Sequence, residues 1–394
     1  MLMESILTIF TVCLTVAFIL SELFYRLGYP RVVGHILAGV FLGLPFIRVY
    51  FNRGALSFIQ YLGDLGVVFL LLLVGLEVRV HHLKRVSKRA FYLAFLGYLI
   101  PLVLGFSFMR LLGFDFLTAV IVGICLAISA EAVTTDILLE YDMLKTSLGS
   151  TIMEAGMIDD FLGVLSLAAV IAVVQGGGVT DLTDIPGDFL TFIALSYLIG
   201  ILVLPRAAKA VWKEKSEAAV FSLAVIFGLF IVMLSNIFDL SSVIGAFVAG
   251  VIIQITIKNR REEKEIVDSL STVTFGLVVP FFFIYVGMNF DITMVGDLLY
   301  LIVPFVFLGL SGKIVAAQLT GSRFHMHRLD RGLMGWGINP RGAVELVIAN
   351  IARVNNLISD EIFSAIVAMT IIAAVVSPIM FRRTLRKRTR QARH

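Results

Sequence analysis

Apolar stretches of about 20 residues recur along the whole chain, and this pattern leaves few folds open. A helix of that length crosses the roughly 30 Å of hydrocarbon in a bilayer. Only 15% of the 394 residues are charged, well below the roughly 25% of soluble domains. We therefore predict an all-α polytopic membrane protein with about 13 spans, at residues 5–25, 31–47, 57–78, 90–112, 117–140, 147–174, 189–212, 217–237, 240–258, 270–290, 297–320, 330–352 and 360–381.

Basic residues alternate between the two sides of these spans. Most of the 32 Lys and Arg residues follow odd-numbered spans or lie in the tail at 382–394, whereas the loop at 175–188 is acidic and contains neither. Because cytoplasmic loops hold the excess of Lys and Arg, we expect an outside N-terminus, a cytoplasmic C-terminus and a multi-pass protein of the cell (plasma or inner) membrane. Orientation and anionic lipid explain the basic charge, so no nucleic-acid partner is expected.

The spans divide into two groups of six around one linker. We predict a single membrane transport domain over 1–394, with repeats at 5–174 and 217–381, a linker helix at 189–212 and a basic cytoplasmic tail at 382–394. This division gives the two repeats opposite orientations, which is typical of inverted-repeat transporters. Span five then corresponds to span twelve, and span six to span thirteen.

Charged side chains inside the spans mark the candidate site. Each costs roughly 2.5–3.5 kcal/mol to insert, so such residues are functional candidates. They concentrate in spans five, six, eleven and twelve. At about 1.5 Å of rise per residue they lie deep enough to share one buried site. These residues are Glu131, Asp136, Glu154, Asp159, Asp160, Lys313, Arg341 and Glu345.

The acids of span six require different neighbours. Asp159 and Asp160 are about 100° apart around the helix, so they cannot face one partner. We expect Asp160 to face a water-reachable cavity, Asp159 to form a proton-coupled ion pair with Lys313, and Glu154 to form a structural ion pair with Arg341. An unpaired aspartate in the middle of the membrane would bind either a proton or a cation. That competition is the chemistry of an antiporter.

Helix breakers also point to this region. The breakers in span twelve predict that it is not one continuous helix, and broken helices supply carbonyls for small cations. Span five lacks such breakers, so a break there is expected from symmetry alone. Its Ser129 and Thr134 offer hard oxygen ligands, and Glu131 is either a further ligand or proton carrier, or neutralises Arg341. The breakers of span twelve are Gly335, Gly337, Asn339, Pro340 and Gly342.

Several segments resemble a known family. They resemble the monovalent cation:proton antiporters of the NhaA fold, in the branch of NapA-type sodium/proton exchangers and Kef-type potassium efflux systems. The segments are YPRVVGHILAGVFLG, LGDLGVVFLLLLVGLE, DLSSVIGAFVAGVII, PFFFIYVGMNFDI and NPRGAVE.

The resemblance assigns roles to particular residues. It implies that Asp159 and Asp160 form the two-aspartate motif of electrogenic exchange, with Asp160 binding the transported Na⁺ or proton and Lys313 pairing with Asp159. It further implies crossing discontinuous helices in spans five and twelve, and a homodimer. Spans four to six and eleven to thirteen would form a core that moves against spans one to three and eight to ten.

The expected function is exchange of Na⁺ or Li⁺ for protons by alternating access, electrogenic at two protons per cation, with no enzymatic activity and no cofactor. Glu131, Asp136 and Ala343 depart from the family pattern and leave selectivity and stoichiometry open. The alternatives are a K⁺/H⁺ antiporter, a cation channel or a membrane pH sensor. A sensor would use His35, His81, His82, His325 and His327.

Overall fold

A computed structural model describes residues 5–77, 86–175, 185–207, 217–238, 240–257 and 260–391. Over these ranges the chain is helical and contains no strand. Parts of the predicted basic and acidic loops, of the linker and of the tail lie outside the described residues, as do His81 and His82. The helices are α1 (Ile6–Arg26), α2 (Arg31–Gly43), α3 (Pro45–Arg48), α4 (Arg53–Glu77), α5 (Lys88–Leu111), α6 (Phe116–Ala127), α7 (Glu131–Glu140), α8 (Ser147–Gln175), α9 (Ile185–Leu202), α10 (Glu217–Ile237), α11 (Ser242–Thr256), α12 (Arg260–Val273), α13 (Val279–Met288), α14 (Leu299–Arg323), α15 (Arg328–Gly337), α16 (Ala343–Val354) and α17 (Asp360–Gln391).

Within the described residues, eight helices are long and apolar enough to cross a membrane. Most helix ends lie within a few residues of the predicted spans. Span ten begins earlier than expected, because the polar helix α12 runs through a π-helical turn at Thr274–Val278 into α13. The predicted tail is also helical as far as Gln391, since α17 continues through it.

One compact unit comprises residues 1–14, 50–81 and 168–285. Within it, α11 packs against α4 and α10. Two glycines allow α4 and α11 to approach closely: a Cβ atom on Gly250 would lie 2.9 Å from the Cα of Gly75. Their backbones therefore pack with no side chain between them at this point.

The second compact unit comprises residues 15–49, 82–167 and 286–394. Here α5 packs against α6 and α14, and α17 packs against α14, α15 and α16. Small residues again bring helices together: a Cβ atom on Gly312 of α14 would lie 2.8 Å from Pro101 of α5. This unit contains every candidate site residue named above.

We predict that Gly250→Val lowers the melting temperature of the detergent-purified protein. The new side chain would collide with the backbone of α4, and overpacking of this kind costs about 1–3 kcal/mol. Gly276→Ala is the control, because no described atom outside its own stretch of helix lies within 4 Å of a Cβ at that position. Equal melting temperatures for Gly250→Val and the wild type would contradict the close α4–α11 contact.

Candidate functional site

Two interrupted helices meet at the centre of the second unit. Residues 128–130 separate α6 from α7, and residues 338–342 separate α15 from α16. The Ala130 N–H donates to the carbonyl oxygen of Pro340 at 2.8 Å. The Thr134 hydroxyl donates to the carbonyl oxygen of Gly337 at 2.7 Å. The structure thus has the break that glycine and proline indicated in span twelve, and also the one that symmetry suggested in span five.

The contact between the two breaks requires a small residue at position 342. A Cβ atom on Gly342 would lie 2.6 Å from the Cβ of Ala130, which is too close for two carbon atoms to coexist. Glycine therefore permits the two extended segments to touch. This contact brings the ends of four short helices to one place.

Arg341 neutralises the carboxyl end of α6. Its side chain is fully buried and donates to the carbonyl oxygens of Ile128, of Leu126 at 2.7 Å and of Gly309 at 3.3 Å. The last carbonyls of a helix lack partners within the helix and carry the negative end of its dipole. The guanidinium group of Arg341 donates hydrogen bonds to these carbonyls, and its positive charge opposes the negative end of the dipole.

The predicted ion pair between Glu154 and Arg341 is wrong. Glu154 instead accepts hydrogen bonds from the Ser87 N–H at 2.9 Å, from the Ser87 hydroxyl at 2.7 Å and from the Ser150 hydroxyl at 2.9 Å. The carboxylate of Glu154, which projects from α8, therefore lies at the start of α5, whereas the guanidinium group of Arg341 lies at the end of α6. Glu154 is also separated from the acids in the middle of α8, since it precedes Asp160 by six residues, or roughly 9 Å along the helix.

Asp159 is held by three donors. Its Oδ2 atom accepts from Lys313 Nζ at 3.0 Å, from the Ser129 N–H at 2.8 Å and from the Ser129 hydroxyl. Both charged side chains are buried, with Lys313 only 1% exposed. Such a pair is stable in a protein interior only if hydrogen bonds replace the lost water. The break between α6 and α7 supplies those bonds.

A small cavity adjoins this pair. The Oδ1 atom of Asp159 is buried and has no hydrogen-bond donor among the described residues. A cavity was expected beside Asp160, but Asp160 is not among the described residues that line this one. Asp160 is half-buried on a different face of α8, in keeping with the turn of about 100° between neighbouring residues. The lining residues are Leu93, Ala94, Gly97, Ser129, Ala155, Gly156, Asp159, Lys313 and Ile338.

The remaining candidates occupy α7 and α16. Glu131 is the first residue of α7, Thr134 is buried one turn later, and Asp136 is exposed. Glu345 is fully buried in the first turn of α16, and its Oε1 atom accepts from the Gly342 N–H at 2.6 Å. No role was predicted for Glu345 from the sequence. An acid three residues after a helix-breaking glycine is the signal that could have identified it.

Comparisons with known proteins are consistent with one another. A family model described as "Sodium/hydrogen exchanger, transmembrane" matches residues 11–387. A Na⁺/H⁺ antiporter of Enterococcus hirae is 27% identical over 92% of this chain and 93% of that protein. A probable Na⁺/H⁺ antiporter 3 of Methanocaldococcus jannaschii is 28% identical over 96% of both chains. The structure of the sodium proton antiporter MjNhaP1 from the same organism has a similar fold, with a TM-score of 0.71 at 17% identity over 94% of each chain.

We predict that Arg341→Gln destabilises the protein by at least about 2 kcal/mol, because it leaves buried carbonyl groups without donors. The measurement is the melting temperature in detergent. The control is Arg323→Gln, which removes an exposed arginine from the last turn of α14. If both variants melted at the wild-type temperature, Arg341 would not stabilise the crossing.

Proposed function

The chain belongs to the sodium/hydrogen exchanger family of monovalent cation:proton antiporters, and we propose that it exchanges Na⁺ or Li⁺ for protons by alternating access. The observation that carries this proposal is the buried pair of Asp159 and Lys313 beside a second acid, Asp160. Acids inside membrane spans are costly to insert and commonly mark ion pathways. A transporter needs such a group to bind its cargo.

Asp160 is the proposed carrier. A proton or a cation can neutralise its carboxylate, and one excludes the other. The hydroxyl oxygens of Ser129 and Thr134 retain lone pairs even while they donate, so they can help to hold Na⁺. Backbone oxygen at the broken helices and Glu131 at the start of α7 are further candidate ligands.

The Asp159–Lys313 pair couples this binding to a second proton. A cation at Asp160 would be one residue away from Asp159 and would compete with Lys313 for its negative charge. A buried lysine that loses its counter-charge releases its proton, because an unpaired charge is costly away from water. Two protons per Na⁺ would move one net charge in each cycle, so the exchange would be electrogenic.

The transport movement is assigned to the interrupted helices and their neighbours. We propose about 13 spans in two inverted repeats, at 5–174 and 217–381, joined by the linker at 189–212. Helices α5 to α7, most of α8, and α14 to α17 share one compact unit, which supports the proposed moving core. That unit also contains α2, which the proposal assigns to the fixed panel.

We further propose that the protein is a homodimer in the plasma membrane and that its C-terminus is cytoplasmic.

Potassium is the alternative cargo. The relative GerN of Bacillus cereus, which is named a Na⁺/H⁺-K⁺ antiporter, is 24% identical over 92% of this chain. Transport of Na⁺, Li⁺ and K⁺ should therefore be compared in the same proteoliposomes. We expect Na⁺ and Li⁺ to evoke the larger currents.

We predict that Asp160→Asn abolishes Na⁺-evoked current, because the amide binds neither a proton nor the cation in the carboxylate's place. Solid-supported-membrane electrophysiology on proteoliposomes measures this directly. Asp297→Asn, which removes an exposed acid, should retain wild-type current. Current of full size in Asp160→Asn would refute Asp160 as the carrier.

We predict that Lys313→Gln leaves the exchange either electroneutral or inactive, because the second proton site is lost. The measurement combines ²²Na⁺ uptake with the charge moved per Na⁺. Uptake without net charge, or no uptake, is expected. A charge per Na⁺ equal to that of the wild type would show that Lys313 does not couple a proton.

A further inference from the structure

The last turns of α17 rest on the second unit through one face of the helix. Phe381 is fully buried in an apolar cluster that also contains Leu138 and Leu333, and Leu385 packs against the same cluster. Two ion pairs flank these contacts and tie α17 to α7 and α15. The pairs are Arg382–Glu140 at 2.8 Å and Arg388–Asp330 at 2.6 Å. One face of these turns is therefore fixed to the protein.

The opposite face of the same turns carries four cations, which we call the cationic face. At about 100° per residue, they fall within an arc of about 100° that is turned roughly 150° away from the docked side. All four are exposed, and no carboxylate of a described residue forms an ion pair with them. Like charges three or four residues apart destabilise a helix, so this face gains from an anionic partner. The cations are Arg383, Arg386, Lys387 and Arg390.

The cationic face continues an apolar face of α17 that lies within the membrane span. The side chains that are not buried occur as the pairs 371–372, 375–376 and 379–380, whereas residues 373–374 and 377–378 are buried. Each pair follows the previous one by four residues, or about one helical turn, and Arg383 continues the series. An apolar face that is left open within a span contacts lipid chains. The four cations therefore lie where the lipid-facing side of the helix leaves the membrane.

Distance along the helix brings the cations to the level of the lipid headgroups. The predicted span thirteen ends at residue 381, and the rise per residue puts residues 383–390 about 3–14 Å beyond that end. Each headgroup region is about 5–7 Å thick, and the potential of an anionic leaflet extends about 8 Å further into solution. All four side chains are thus within reach of lipid phosphates.

We propose that the cationic face binds the anionic phospholipid headgroups of the surrounding membrane and thereby anchors the end of α17. Arginine suits this partner, because its guanidinium group can donate two hydrogen bonds to one phosphate. The surface includes none of the residues assigned to ion binding, so the inference does not depend on the proposed transport cycle. Because α17 packs against α14, α15 and α16, bound lipid would stabilise the unit that contains the crossing.

The test variant combines Arg383→Gln, Arg386→Gln, Lys387→Gln and Arg390→Gln, which remove the charges and keep long polar side chains. The melting temperature of the full chain is measured in detergent micelles that contain either dioleoyl-phosphatidylglycerol or dioleoyl-phosphatidylcholine. A ligand that binds only the folded state stabilises it, so phosphatidylglycerol should raise the melting temperature of the wild type by about 2 °C or more relative to phosphatidylcholine. The variant should lose this difference, and choline chloride at about 0.5 M should reduce it in the wild type.

The matched control removes four other exposed cations, which also follow odd-numbered spans and are predicted on the same side of the membrane. It should keep the full effect of phosphatidylglycerol. The control combines Lys145→Gln, Lys264→Gln, Arg323→Gln and Arg328→Gln.

Four results would overturn the inference. An equal loss in the control would show that net charge, rather than the cationic face, attracts the lipid. A difference of wild-type size in the test variant would show that the lipid binds elsewhere. No difference in the wild type would leave an acidic protein as the partner of this face. A test variant that melted far below the wild type in phosphatidylcholine would show that the cations serve folding itself.

Discussion

The hydrogen-bonded ion pair between Asp159 and Lys313 is the interaction on which the rest of the site depends. Two buried charges attract each other strongly, but the cost of removing them from water is of similar size. Ser129 reduces that cost with a backbone N–H and a hydroxyl, both directed at Asp159. A continuous helix could not offer that N–H, since it would be bonded within the helix. The ion pair therefore requires the break between α6 and α7.

The crossing of the two breaks is itself stabilised by charge. Arg341 caps the carboxyl end of α6, and Glu345 caps the amino end of α16. Each side chain opposes the dipole of the helix end that it meets. With Asp159 and Lys313, four ionisable side chains are buried at the crossing within the described residues, and Asp160 lies one residue from this group.

Hydropathy and turn chemistry predicted much of the fold, and less of the site. The long spans and the break in span twelve follow from apolar runs and from residues such as Pro340. The break at Ser129 has no local signal and rested on symmetry. The Glu154–Arg341 pair was wrong because helix geometry fixes the direction of each acid around α8 but not which neighbouring element the acid meets. It also assumed that a buried charge needs an opposite charge, whereas the partners of Arg341 are backbone carbonyls, which leave no trace in the sequence.

The central claim is that one buried acid binds either a hydrogen ion or an alkali cation. Isothermal titration of the purified protein with NaCl, in two buffers of different ionisation enthalpy, tests it most directly. Competition of this kind predicts that the measured heat changes with the buffer, with between about one and two protons released per Na⁺ bound. Na⁺ binding whose heat is the same in both buffers would mean that no proton leaves, and would contradict the account.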